Sequence, residues 1–148
     1  MGEPLEIVIL GLTITSSWGN GHATTYRALL RALSQRGHRV TFLERDVPWY
    51  RDHRDLPHPS FCRTRLYGSL AELQREHTET LRRADLAVVG SYVPEGIDVG
   101  RWVCANAPAA AFYDIDTPVT LRRLEAGTCA YLERALVARY DIYFSFTG

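Results

Sequence analysis

The chain has 148 residues, 46% of them apolar and 23% charged, which suits one globular domain with a single core. Its 17 basic residues match its 17 acidic ones, so bulk charge offers no field to draw nucleic acid or an anionic membrane. Every basic residue is arginine, a mark of GC-rich bacterial coding.

The first apolar run, Leu5–Leu12, is continuous and β-branched, the pattern of a strand buried on both faces. It is too short for a signal-peptide core or a membrane span and has no basic flank. From Thr24 to Arg36 the apolar positions Tyr26, Leu29, Leu30 and Leu33 recur at helical spacing, and Gly37 stops the helix. His38–Glu44 reads as a second strand. The Pro- and charge-rich stretch "DVPWYRDHRDLPHPS" reads as an irregular surface loop, with His53–Asp55 solvated. Phe61–Gly68 is a third strand. Ser69 is a fitting N-cap for a helix over Leu70–Arg83, with Glu72 in its first turn. Asp85–Gly90 is a fourth strand, and Pro94 suits the first turn of a helix reaching Asn106. Ala109–Asp114 is a fifth strand, helical stretches cover Thr117–Ala138, and Tyr140–Phe146 is the last strand. The chain then stops at Thr147-Gly148 with no closing helix, which points to a domain cut from a longer polypeptide.

Strands alternating with helices predict a mainly parallel sheet of about six strands with right-handed crossovers. The fold class is therefore α/β, a Rossmann-like three-layer αβα sandwich. In such sheets ligands gather at the carboxyl ends of the strands. The stretch "SSWGNGHATTYRALLRAL" lies there, between the first strand and first helix. Gly19, Asn20 and Gly21 let backbone N–H groups approach a ligand, and the helix start favours an anion. The alternative is that the glycines only permit a tight turn. His22 sits at that helix start, where its neutral form is favoured and where a general base would serve; the plainer role is a hydrogen bond to a loop carbonyl.

"GNGHAT" has Thr24 where a dinucleotide fingerprint has its third glycine, and Gly11 and Gly19 are far apart for that motif. Glu44, ending the second strand, does stand about where a ribose-binding acid belongs. A nucleotide-binding (NAD or FAD) oxidoreductase fragment is thus one alternative. A non-catalytic partner-binding α/β domain, with its crevice filled by side chains, is another.

The phrases "GNGH", "RALSQRGHRVTFLE", "FLERDVPWY" and "FYDIDTPVT", in this order, resemble the N-terminal domain of GT-B glycosyltransferases, nearest the spore-maturation CgeB-like group. The resemblance covers essentially the whole chain. It implies a cytoplasmic, bacterial, acceptor-binding half of an enzyme that passes a sugar from a nucleotide-sugar to a hydroxyl acceptor. Its donor-binding C-terminal domain would be a partner outside this chain, and the fragment alone would be inactive. No cofactor would be tightly held, the nucleotide-sugar being a co-substrate, and no metal is implied. For an inverting enzyme the resemblance makes His22 the base, with a carboxylate such as Asp98 or Asp116 orienting its ring. Trp18, Gly19, Asn20, Gly21, Ser91, Tyr92, Glu95 and Asp114 would line the substrate cleft.

Several motifs have competing readings. "YDIDTP" holds Asp114 and Asp116, too few hard ligands for magnesium; Asp116 also suits a helix N-cap, leaving Asp114 the better ligand contact. Trp18 could stack on a sugar, while Trp49 and Tyr50 suit packing beneath loops. Arg122 and Arg123 fall on an exposed helix face. Cys62, Cys104 and Cys129 are odd in number and lack a C-x-x-C pair, so they read as buried or half-buried thiols rather than disulfides or a zinc site.

Overall fold

The computed structural model describes residues 2–146; the terminal Thr147 and Gly148 noted above lie outside them. In chain order the elements are β1 (Glu6–Leu10), α1 (His22–Gln35), β2 (Arg39–Arg45), α2 (Pro48–Arg51), β3 (Arg63–Tyr67) and α3 (Leu70–Arg83). They continue as β4 (Leu86–Gly90), α4 (Gly96–Asn106), β5 (Ala110–Asp114), α5 (Thr117–Ala126), α6 (Arg134–Val137) and β6 (Ile142–Ser145). The six strands form one sheet in the order β3-β2-β1-β4-β5-β6, and every neighbouring pair is parallel. This is a Rossmann-like α/β sandwich, as the alternating pattern predicts.

The two faces carry separate cores, because successive strand residues point to opposite sides. On one face Val8, Leu10, Leu43, Ala87, Val89 and Phe112 pack against Leu73 and Leu81 of α3, Trp102 and Val103 of α4, and Leu136 of α6. On the other, Ile7, Ile9, Phe42, Val88 and Ala111 meet Tyr26 and Leu30 of α1. α1 ends as its glycine predicts, with Gly37 at φ +87°. α3 begins as predicted: Ser69 Oγ accepts the Glu72 N–H at 3.1 Å, and the Glu72 carboxylate in turn accepts the Gly68 N–H at 2.7 Å.

Three expectations need correction. Pro94 does not enter α4; that helix starts at Gly96, after Glu95 turns through φ +53°. Gly96 is pressed on Tyr131, where an added Cβ would lie 2.5 Å from the Tyr131 Cβ, so packing rather than the proline fixes the start. The helical stretches after β5 do not cover Thr117–Ala138 throughout, since residues 127–133 lie outside both α5 and α6, beginning where Gly127 turns at φ +69°. The charged loop after β2 is not irregular throughout, since it folds into α2 and then bonds back to the loop after β1. The three cysteines are free, Cys129 buried and Cys62 and Cys104 half-buried.

Candidate functional site

β1 and β4 are neighbours at the centre of the sheet, and the chain leaves them in opposite directions. From β1 it crosses by α1 toward β2, and from β4 it crosses by α4 toward β5. Such a switch opens a crevice above the strand ends. Residues 11–21, 91–95 and 115–116 connect strands to helices there.

The first connection is built on Glu44, which is wholly buried. Its Oε2 accepts the backbone N–H of Ile14 (2.8 Å) and of Thr15 (3.1 Å). Its Oε1 accepts the hydroxyls of Thr13 (3.0 Å) and Thr15 (2.7 Å). A strap from the loop after α2 holds the same connection from outside. Leu56 N donates to Thr15 O (3.0 Å), Ser16 Oγ to His53 O (2.7 Å), and Arg54 Nε to Thr15 Oγ1 (3.1 Å). Asp55 accepts the Ser17 N–H (2.8 Å) and a two-pronged bond from Arg27 (2.9 and 3.0 Å). The Arg27 guanidinium holds the Asp55 carboxyl far below the usual carboxylate range. The "HRD" stretch is thus a structural strap rather than a merely solvated loop.

The tip of the connection is open. Gly19 adopts φ +64°, and a Cβ added at Gly19 or Gly21 would meet nothing within 4 Å. Asn20 turns inward: its amide donates to Ser16 O (3.2 Å) and Trp18 O (3.1 Å), and its Oδ1 accepts the Ala23 N–H (3.1 Å) of α1. Asn20 is a cap of α1 rather than a ligand contact. Trp18 is half-exposed and stacks on His53, with ring centroids 4.3 Å apart.

His22 opens α1. Its half-buried ring stands edge-on to Tyr92 at 5.3 Å, and its Nδ1 is buried without a hydrogen-bond partner among the described residues. Burial lowers its pKa, opposed by the charge of Asp116. The ring is therefore neutral at pH 7. Asp116 stands at the N-cap of α5 but its side chain makes no capping bond.

The structure brings His22, Tyr92, Asp116 and the Gly19–Gly21 turn together. It separates the others. Asp98 lies on the exposed first turn of α4, paired with Arg101 at 3.1 Å, and is not the partner of His22. Glu95 is paired with Arg45 at the end of β2. Ser91 is buried, and its Oγ accepts the Ile115 N–H at 3.1 Å, stapling two connections together. Asp114 is 6% exposed and accepts Thr120 Oγ1 (2.9 Å) and Asp116 N–H (3.3 Å), so it shapes the turn rather than facing a ligand. Burial pushes its pKa up. Arg123 is exposed, as expected, and its guanidinium reaches over the Tyr92 ring at 5.6 Å. Glu44 is the main residue whose role sequence reasoning missed: its position at the strand end was visible, but its partners were not.

Among the described residues no three His, Cys, Asp or Glu side chains are grouped to hold a metal, and no helix is long and apolar enough to cross a membrane. The sheet order and the open turn at its switch point define a Rossmann-like domain. No family model matches the chain, and no curated protein matches it. Among solved structures it is similar to the DNA/pantothenate metabolism flavoprotein from Streptococcus pneumoniae, with a TM-score of 0.54 and 10% identity, covering 98% of this chain and 82% of that one. At this identity the likeness is one of fold. It nonetheless corrects the expectation of a sugar-transferring enzyme, since the matched structure is a flavoprotein and not a glycosyltransferase domain. The nucleotide-sugar co-substrate goes with that expectation.

Proposed function

We propose that this chain is a nucleotide-cofactor-binding domain of the flavin class, of the kind found in oxidoreductase fragments. The open Gly19–Gly21 turn at the start of α1 carries the proposal: it leaves room and backbone donors for a phosphate where a cofactor of this fold class is held. The flavoprotein likeness agrees with it. The residues fit such a group in a second respect, because His22 Nδ1 is a buried polar atom in want of a partner at the same turn. Tyr92 offers an aromatic wall beside it.

Titration with FMN, FAD and NAD, followed by flavin fluorescence and calorimetry, tests the proposal. Saturable binding of a flavin is expected. Gly21→Ala is the discriminating variant, since Gly21 has ordinary helical angles and open space around it. It should fold with unchanged stability yet bind about tenfold more weakly, one lost contact being worth on the order of 1–2 kcal/mol. A chain that binds none of the three cofactors at millimolar concentration, or a Gly21→Ala variant that binds as the parent does, overturns it.

A further inference from the structure

We infer that Glu44 is a specificity-determining residue that makes this crevice one for a mononucleotide rather than a dinucleotide. The inference rests on the cofactor reading above and goes beyond it by choosing the ligand class. In dinucleotide-binding sheets an acid at the end of the second strand accepts the hydroxyls of a ribose, and the second nucleoside lies over that strand end. Glu44 stands at that place, one residue before the end of β2.

Its carboxylate is not available for a sugar. A carboxylate offers about four acceptor positions. All are filled here, two by the N–H groups of Ile14 and Thr15 and two by the hydroxyls of Thr13 and Thr15. A ribose diol could bind only by displacing these bonds and leaving buried N–H groups unpaired. The β1–α1 connection beside that strand end is also held from outside. The strap reaches over the β1–α1 connection through Ser16 Oγ to His53 O, Leu56 N to Thr15 O, and the stack of Trp18 on His53. The glycine turn on the other side of that connection stays open. The glycine turn is thus the part of the connection left open to a phosphate, and the adenosine half of a dinucleotide lacks its ribose-binding acid. Glu44 acts instead as a positioning residue that sets the height of the loop beneath that turn.

Calorimetry of the whole chain with FMN, FAD, NAD and ADP-ribose tests the selectivity. FMN should bind at least tenfold more tightly than NAD or ADP-ribose, and FAD no more tightly than FMN. NAD or ADP-ribose binding as well as FMN overturns the inference while leaving a nucleotide-binding domain. Failure of all four ligands overturns both. The positioning role is read without ligand, by amide hydrogen exchange. Glu44→Gln should speed exchange at Ile14 and Thr15 at least tenfold relative to β1. Thr15→Val, a milder change that keeps the carboxylate, should speed Ile14 by a smaller factor and serves if Glu44→Gln does not fold. Unchanged exchange in the folded variants overturns the positioning role.

Discussion

The two faces of the sheet are built to different standards. One is covered by α3, α4, α5 and α6, and Phe112 at its centre is fully buried among Tyr131, Tyr140 and Tyr143. The other has α1 as its covering helix, and beside α1 a groove of about 330 Å³ runs along Leu29, Leu33, Leu86, Val88, Tyr113 and Phe144. Side-chain burial follows place in the sheet: the inner strands β4 and β5 are buried almost throughout, while every residue of the edge strand β6 is exposed. The four-helix face carries the larger buried cluster. The open glycine turn belongs to the connection that feeds the more sparsely covered one.

Phe112→Ala removes a large ring from the well-covered face and should cost about 3–5 kcal/mol. Phe144→Ala, on a strand whose residues are all exposed, should cost less than ~1 kcal/mol. Urea unfolding of both variants checks the pair; equal losses would mean that the faces contribute alike.

The α1 side has its own tightly packed centre. Tyr26 is fully buried there, its ring edge-on to Phe42 at 5.2 Å, and its hydroxyl has no partner among the described residues. Gly11 and Gly90 make room for it. A Cβ at Gly90 would lie 1.8 Å from the Tyr26 hydroxyl and 3.1 Å from Cζ. Gly90→Ala should therefore destabilise by about 1–3 kcal/mol. Tyr26→Phe should be neutral or stabilising, because a buried hydroxyl without a partner costs desolvation. In the double variant the clash with the oxygen is gone, so its loss should be smaller than that of Gly90→Ala alone. Thermal unfolding of the three variants checks this, and additive effects would sink the account.

A smaller effect separates the two helix starts. Ser69→Ala removes the cap of α3 and should cost about 1 kcal/mol. Asn20→Ala removes the Oδ1 bond to Ala23 and two bonds that fold the open tip. Its stability loss should be of the same order, about 1 kcal/mol. Cofactor binding should fall with it, and should not fall in Ser69→Ala. Paired melting and titration curves decide it.

What the sequence made legible is what short-range chemistry controls. Continuous β-branched runs marked β1 and β4, Gly37 marked the end of α1, and Ser69 with Glu72 marked the start of α3 to the residue. The alternation of elements gave the fold class, and the glycines gave the location of the turn. Long-range partners were not legible. Asp98 and Asp116 look equivalent as letters, yet one turns outward to Arg101 and the other lies near enough to His22 for its charge to act on the ring. Nothing local in "HRDL" announces that it will strap residues 15–17, since those bonds exist only once β2 lies beside β1. The sugar-transfer function expected from the resemblance was overturned for a related reason: a strand, a glycine turn and a helix ending in "RGH" answer the demands of the sheet, which many functions share.

The smallest effect lies in the pH dependence of stability. His22 has a folded pKa below its ordinary 6.5, because burial disfavours the charged ring, with the negative charge of Asp116 opposing the shift. Between the lowered value and 6.5 the unfolded chain binds the proton and the folded chain does not. Stability must therefore fall as pH drops through that window, and the contribution of neutral His22 is complete above it. Asp114, raised by burial, has the opposite sign: its folded form prefers the proton, so its ionisation costs stability as pH rises from the carboxylate range. The His22 part is isolated by difference. His22→Gln keeps a polar side chain and removes the titration, so its melting temperature should change less between about pH 7.5 and 5.5 than that of the parent. If the two profiles run parallel, the ring is as free to take a proton in the folded chain as in the unfolded one. If they converge at the acid end, the crevice holds a neutral imidazole, with Nδ1 left to accept or donate one bond to whatever enters beside the glycine turn.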